Sequence, residues 1–235
     1  WAEPSCPFCR FWPCAAGNVC RMTQIELRKV AKTFGAKLIL RDATCRFDAG
    51  TVSLITGENG AGKSTLLRII AGLTAPSAGS VQITPDDTRI GYLGHSTFLY
   101  PALTALENLA FWQKACGLAS DRKTLTDMLG HVGLARHALT RAGVFSRGMK
   151  QRLSLARVLL QKPGILLLDE PGTGLDAASH GLLDEEIRNA AARGACVIAV
   201  SHDVEHDRAL ADAVYVIRDR VLEKTYSREE GGASC

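Results

Sequence analysis

The chain has 235 residues, of which 46% are hydrophobic and 22% are charged, and this balance excludes an intrinsically disordered protein. The formal net charge of +4 comes from basic and acidic residues spread along the chain, which excludes the concentrated basic stripe of a duplex-DNA binder. The length allows one sizeable core or a core plus a small subdomain. The sequence shows neither a membrane span of ~18 apolar residues nor a signal peptide, so we expect a cytosolic protein.

The first 21 residues differ from the rest of the chain. They contain four cysteines at the spacing C-x2-C-x4-C-x5-C, namely Cys6, Cys9, Cys14 and Cys20. This spacing has one good ligand pair for zinc or an iron–sulfur cluster and no regular second pair. Regular alternation begins only after Met22, with Ile25 and Leu27. We interpret residues 1–21 as a non-native or disordered extension, with metal binding as the alternative. The other cysteines are interpreted as structural thiols, namely Cys45, Cys116, Cys196 and Cys235.

A glycine-rich loop follows the β-branched run 51–56 and precedes the helical pattern LLRIIAGL. Its sequence, Gly57-x4-Gly62-Lys63-Ser64, is the complete phosphate-loop pattern in the strand–loop–helix setting that it requires. Glycines let backbone N–H groups surround phosphates, and the helix turns its positive N-terminus towards them. We expect Lys63 to contact the β- and γ-phosphates of ATP and Ser64 to supply a hydroxyl to Mg²⁺. The residues predicted to bind ATP here are Gly57, Glu58, Asn59, Gly60, Ala61, Gly62, Lys63, Ser64 and Thr65.

The stretch 101–143 predicts a helical insert, because apolar residues recur there at helical spacing behind Thr104, the expected N-cap. The next stretch, VFSRGMKQR, precedes a further helix pattern that Pro163 ends. Its Ser146 is the expected N-cap, and a hydroxyl, the Gly148 backbone and a helix N-terminus together form an anion site. Since the chain already has a phosphate loop, we interpret this second site as serving the nucleotide of another copy.

Two apolar runs further along predict buried parallel strands that end in polar residues. GILLLDEP ends at Asp169 and Glu170, and CVIAVSHD ends at His202. A helical pattern lies between them, and the β-α-β order predicts a parallel α/β core with its ligand site at the carboxyl ends of the strands. We expect Asp169 to face Mg²⁺ and Glu170 to activate the attacking water, while His202 contacts the γ-phosphate and orients that water.

The end of the chain predicts a hairpin and a tail. AVYVIRDRVLEKTY reads as two short strands around Asp219 and Arg220, and SREEGGASC is typical of a frayed terminus.

In their order and spacing, the phosphate loop, the stretch at Ser146, LLLDEP, GLD (174–176) and SHD resemble the ATP-binding cassette of ABC transporters. The resemblance covers residues 22–230, with a helical subdomain at about 96–162 and a tail at 231–235. It implies a P-loop NTPase fold with a RecA-like parallel-sheet core, an N-terminal antiparallel β part and an α-helical subdomain. It also implies ATP as substrate, Mg²⁺ as cofactor, and a cassette homodimer bound to integral-membrane permease subunits at the cytoplasmic face of the bacterial inner membrane, with no nucleic-acid partner.

The resemblance also assigns expected roles to single residues. Ser146, Arg147 and Gly148 would clamp the γ-phosphate that the opposite subunit binds. Asp176 would lie in the loop that crosses the dimer interface, and Phe34 would stack on adenine.

Two departures from the family pattern stand out. Arg147 and Met149 replace a glycine and a glutamine of the usual signature. His95 occupies the position of the glutamine that senses Mg²⁺ and couples to the membrane subunit in this family.

Within the family, LGHSTFLYPALTALENLAFW together with SRGMKQRLSLAR resembles the haem exporter ATPase of cytochrome c maturation, the CcmA family. That resemblance implies a motor subunit whose membrane partners, rather than the chain itself, contact haem. GMKQRL also occurs in ATPases of ABC-2-type drug and polysaccharide exporters, so these are the alternative, and a soluble non-transport ABC ATPase is a further one. A P-loop kinase would share Lys63 and Ser64 but would have no use for the signature or GLD.

Overall fold

The computed structural model of the chain describes residues 23–94, 96–119, 121–173, 175, 177–201 and 207–228. The predicted Cys-rich extension, 1–21, and the tail, 231–235, therefore lie outside the described residues. Within the described part of the chain, no helix combines the length and apolar character that a membrane crossing requires.

The elements follow one another in the order that the sequence predicts. The strands are β1 (Gln24–Phe34), β2 (Lys37–Asp48), β3 (Val52–Gly57), β4 (Ala78–Thr84), β5 (Ile90–Leu93), β6 (Ile165–Asp169), β7 (Cys196–Val200), β8 (Ala213–Arg218) and β9 (Val221–Ser227). The α-helices are α1 (Lys63–Ile70), α2 (Ala105–Ala115), α3 (Arg122–His131), α4 (Arg147–Leu159) and α5 (Ala177–Ala192).

The strands form an antiparallel sheet and a mostly parallel sheet. Among the described residues, the first has the order β2-β1-β4 and the second has the order β5-β6-β7-β3-β8-β9. Neighbouring strands of the second sheet are parallel except β9, which is antiparallel to β8. Every residue of β6 and β7 is buried, as expected for central strands covered on both faces. These observations confirm the predicted parallel α/β core and the antiparallel N-terminal part.

Apolar clusters cover both faces of the parallel sheet. One contains α1 and the inner face of the antiparallel sheet, where the rings of Phe47 and Tyr215 lie 5.0 Å apart between centroids. The other lies on the opposite face and includes Leu183 and Ile187 of α5. This packing places α1 on one side of the sheet and α5 on the other. Since β3 and β6 both run parallel to β7 between them, their carboxyl ends, and the loops that follow, lie at the same edge of the sheet.

The helical segment α2–α4 has an apolar cluster of its own, in which Leu109 of α2, Leu129 of α3 and Leu153 of α4 are fully buried. Thr104 caps α2 and Ser146 caps α4, and both residues are the N-caps that the sequence predicts. The predicted helical insert is therefore confirmed.

One expectation from the sequence is wrong. The tail does not fray at Ser227, because this residue closes β9 opposite Ala213, and Arg228 forms an ion pair with Asp212 at 2.8 Å between Nη1 and Oδ1. Cys116 is a free and exposed thiol. Burial raises the pKa of Cys45 and of Cys196 to about 12, so these thiols remain protonated, as structural cysteines do.

Candidate active site

The phosphate loop connects the end of β3 to the start of α1 through glycines in left-handed conformations. Gly57 has φ 142° and Gly62 has φ 107°. A Cβ at Gly57 would lie 2.7 Å from the Ile217 carbonyl oxygen, and one at Gly62 would lie 3.0 Å from a methyl carbon of Ile39. Both positions therefore require glycine, for conformation and for space. The contact at Gly62 also shows that β2 packs directly beside the loop.

Lys63 is the first residue of α1 and is only 6% exposed. Its ammonium Nζ donates hydrogen bonds to the carbonyl oxygens of Gly57, at 2.8 Å, and of Glu58, at 2.9 Å. Burial lowers the pKa of Lys63, while the nearby carboxylates of Glu170 and Asp169 act in the opposite direction. The loop thus holds a cation at its centre, where the phosphates of a bound nucleotide would lie.

Ser64 and Asp169 meet across the edge of the sheet, although 105 positions separate them in sequence. The Ser64 hydroxyl donates to Asp169 Oδ1 at 2.8 Å. The Tyr92 hydroxyl donates to Asp169 Oδ2 at 3.1 Å, and the carboxylate is 1% exposed. A serine hydroxyl and a carboxylate are hard oxygen ligands, and Mg²⁺ in nucleotide sites takes few protein ligands beside the phosphates. The donor pair therefore fits Mg²⁺.

Glu170 follows Asp169 but turns away from it, because its backbone adopts φ 54° in the left-handed region. Its N–H donates to the Val200 carbonyl oxygen at 3.0 Å, which holds this costly conformation. The residue lines a cavity of about 290 Å³ between the ends of β5, β6 and α4 and a second cavity of about 240 Å³ beside α5. The side chains of Asp169 and Glu170 thus face different spaces, and the left-handed backbone of Glu170, which follows the last residue of β6, separates them.

Ser146 accepts a hydrogen bond from the Met149 N–H at 3.3 Å and caps α4. Ser146 and Arg147 are exposed, and Gly148 is half-buried with open space around its Cα. Among the residues that the structure describes, no hydrogen bond joins Ser146 to the phosphate loop. Within one chain, the start of α4 instead lines the larger cavity opposite Glu170, through Arg147 and Lys150.

Sequence reasoning missed two residues at this site, Tyr92 and Gln151. Gln151 Nε2 donates to the Pro171 carbonyl oxygen at 3.1 Å and so joins α4 to the turn that follows Glu170. The only signal for Tyr92 in the sequence was its place in the short stretch IGYL, because the pairing of β5 with β6 is a tertiary feature. Gln151 gave no comparable signal, because a glutamine on a polar helix face is ordinary.

Phe34 lies at the end of β1 and is 53% exposed, with the Lys32 ammonium 4.8 Å from its ring centroid. An exposed aromatic face at this position is available for stacking. The remaining predicted site residues, His95, Asp176 and His202, lie outside the described residues, so their expected roles stay predictions.

Comparisons with known proteins place this geometry in a family. The sequence model of the ABC transporter family matches residues 40–173. The aliphatic sulfonates import ATP-binding protein SsuB of Albidiferax ferrireducens is 39% identical over 228 residues, which cover 89% of this chain and 78% of that protein. The cytochrome c biogenesis ATP-binding export protein CcmA of Bradyrhizobium diazoefficiens is 36% identical over 185 residues, which cover 76% of this chain and 92% of that protein. A solved ATP-binding subunit of an ABC transporter superimposes with a TM-score of 0.80 at 28% identity, covering 89% of this chain and 95% of that one.

Proposed function

Since the chain belongs to the ABC transporter family, where ATP-binding subunits are transport-coupled ATPases, we propose that it is the motor subunit of a haem exporter complex for c-type cytochrome biogenesis. The proposal has two levels, the chemistry of ATP hydrolysis and the identity of the cargo. Different observations support them.

The hydrogen bond between Ser64 and Asp169 is the observation that supports the proposed ATP hydrolysis, because it brings together the two side chains proposed to hold Mg²⁺. In the proposed complex, Lys63 contacts the β- and γ-phosphates above the N-terminus of α1, and Ser64 and Asp169 hold Mg²⁺. The ion, when bound, neutralises charge that develops on the phosphate oxygens. Glu170, facing the cavity beyond Asp169, accepts a proton from the attacking water. We propose that His202 orients the same water.

A second copy of the chain completes the proposed site. The exposed N-terminus of α4, with Ser146, Arg147 and Gly148, binds the γ-phosphate held by the partner, because helix N-termini favour anions. Arg147 adds a positive charge that the glycine of the usual signature lacks. Asp176 lies in the loop between the two copies, and Phe34 stacks on adenine. ATP bound between two such surfaces joins the cassettes into a homodimer.

The proposed membrane partners are permease subunits that receive the motion of the cassettes at the cytoplasmic face of the bacterial inner membrane. His95 and the helical segment α2–α4 form the proposed contact with them. In this arrangement haem contacts the partners and not this chain.

The proposed cargo is supported by the alignment with CcmA, which covers 92% of that protein. The stretch around His95 and LTALENL supports the same assignment. SsuB is also similar, however, and its name states an import function, so the cargo needs a direct test.

The test is haem staining of c-type cytochromes in cells whose only copy carries Glu170→Gln. We expect selective loss of covalently attached haem, with b-type cytochromes unchanged. Glu185→Gln is the matched control, because Glu185 is exposed on α5 away from the phosphate loop. Normal c-type cytochromes in the Glu170→Gln cells would reject the haem assignment and favour ABC-2-type drug or polysaccharide export, while leaving the ATPase chemistry intact.

A further inference from the structure

Each oxygen of the Asp169 carboxylate has a hydrogen-bond donor from a different element. Oδ1 accepts from Ser64 of α1, and Oδ2 accepts from the phenol of Tyr92 in β5. Tyr92 pairs with Leu167 in the parallel register of β5 and β6. Since residues two apart on a strand share a face, the phenol lies on the same side of the sheet as Asp169 and reaches forward to it.

The position of the phenol is fixed by its surroundings. A Cβ at Gly94 would lie 2.7 Å from Tyr92 Cε1 and 2.9 Å from its hydroxyl oxygen, so a glycine is needed for the ring to lie there. The backbone is also held, because Arg157 Nη2 donates to the Tyr92 carbonyl oxygen at 3.1 Å. The guanidinium of Arg157 in turn lies 5.0 Å from the ring centroid of Trp112.

The direction of the hydrogen bond is fixed as well. A phenol O–H donates and a carboxylate oxygen accepts, so Tyr92 donates its proton to Asp169 Oδ2.

We propose that Tyr92 is a positioning residue that restricts Asp169 to one oxygen for the cation and thereby favours Mg²⁺ over Ca²⁺. Mg²⁺ demands a near-ideal octahedron and takes few carboxylate oxygens, whereas Ca²⁺ accepts six to eight ligands and often binds both oxygens of a carboxylate. With Oδ2 held by the phenol, only Oδ1 is presented beside the Ser64 hydroxyl. The inference rests on the proposed Mg²⁺–ATP site, and it assigns to Tyr92 the preference of that site for Mg²⁺ over Ca²⁺.

The experiment measures the dissociation constant of a fluorescent, non-hydrolysable ATP analogue on the full chain in Mg²⁺, in Ca²⁺ and in EDTA. For Tyr92→Phe we expect the constant to rise ~10-fold or more in Mg²⁺, as for other groups that orient metal ligands. We expect a smaller rise in Ca²⁺ and no change in EDTA. The matched control is Tyr215→Phe, which removes a buried phenol that donates to the Arg46 carbonyl oxygen at 3.1 Å.

Gly94→Ala is a second variant, since the added methyl group displaces the phenol without removing it. We expect it to weaken binding in Mg²⁺ more than in Ca²⁺, as Tyr92→Phe does. Equal losses in Mg²⁺, Ca²⁺ and EDTA, or binding by Tyr92→Phe that matches Tyr215→Phe, would overturn the inference. Absence of any Mg²⁺ effect on the unmodified chain would instead overturn the proposed ATP site.

Discussion

Two helices of this chain begin in opposite ways. α1 follows Gly62, which has φ 107° and no side chain with which to cap the helix. α2 follows Thr104 in a full capping box, in which Thr104 Oγ1 accepts from the Glu107 N–H at 3.2 Å and Glu107 Oε2 accepts from the Thr104 N–H at 2.8 Å. The chain caps α2 with a side chain but gives α1 a bare glycine entry, which leaves the backbone N–H groups at the start of α1 without a side-chain cap, as the proposed phosphate site requires.

Buried polar groups differ between the same two regions. Asn108 in the helical segment is fully buried, and its amide bonds the Tyr100 N–H and backbone carbonyls around it. Lys63 at the phosphate loop is also buried, but burial lowers its pKa and its bonds go to loop carbonyls. The amide stabilises a turn, whereas the cation is held ready for an anionic ligand. Buried polar groups thus stabilise the turn before α2, whereas at the phosphate loop they keep a cation beside Asp169 and Glu170.

The largest expected effect is that of Glu170→Gln on turnover. Loss of the proposed general base should lower ATP hydrolysis by the purified chain ~10²- to 10⁴-fold. ATP binding and the free energy of unfolding should stay near those of Glu185→Gln, the exposed control on α5. If the variant lost stability together with turnover, Glu170 would serve packing as well, and the contrast between the phosphate-loop edge and the helical segment would be wrong.

The next largest effect concerns the stability of the helical segment α2–α4. Leu109→Ala opens a cavity in the cluster between α2, α3 and α4, which should lower the free energy of unfolding by about 2–5 kcal/mol in urea titrations. The affinity of the folded chain for ATP should be preserved. Leu139→Ala is the control, since Leu139 is 72% exposed and its loss should cost no more than about 0.5 kcal/mol. An unfolding free energy equal to that of the control would contradict the assignment of Leu109 to the core.

The smallest effect is that of Thr104→Ala, which removes the capping box of α2. We expect a loss of about 0.5–2 kcal/mol in the same urea titrations, because backbone donors at the start of the helix lose their partner. Thr126→Ala is the matched threonine, because its hydroxyl only bonds back to the Arg122 carbonyl oxygen within α3. If both threonine variants lost the same free energy of unfolding, the capping box of α2 would add no stability of its own, and the contrast with the start of α1 would be wrong.

Local patterns made much of the fold predictable. Thr104 and Ser146 were readable as N-caps because the cap hydroxyl and the backbone N–H that donates to it lie only three residues apart in sequence. The tail was misjudged because its polar composition hid the pairing of Ser227 with Ala213, which depends on the register of β8 and β9.

The sequence by itself determined the phosphate loop and the adjacent carboxylates, since a strand, a glycine turn and a helix start form from neighbouring residues. Only the tertiary structure decided that Asp169 meets Ser64 and Tyr92, which are 105 and 77 positions away. The same holds for the link from Gln151 to Pro171. These contacts depend on β5 and β6 being neighbours and on α1 and α4 packing beside them. Hydrophobic periodicity tells which face of a strand is buried, but the order of strands is set by how whole elements pack.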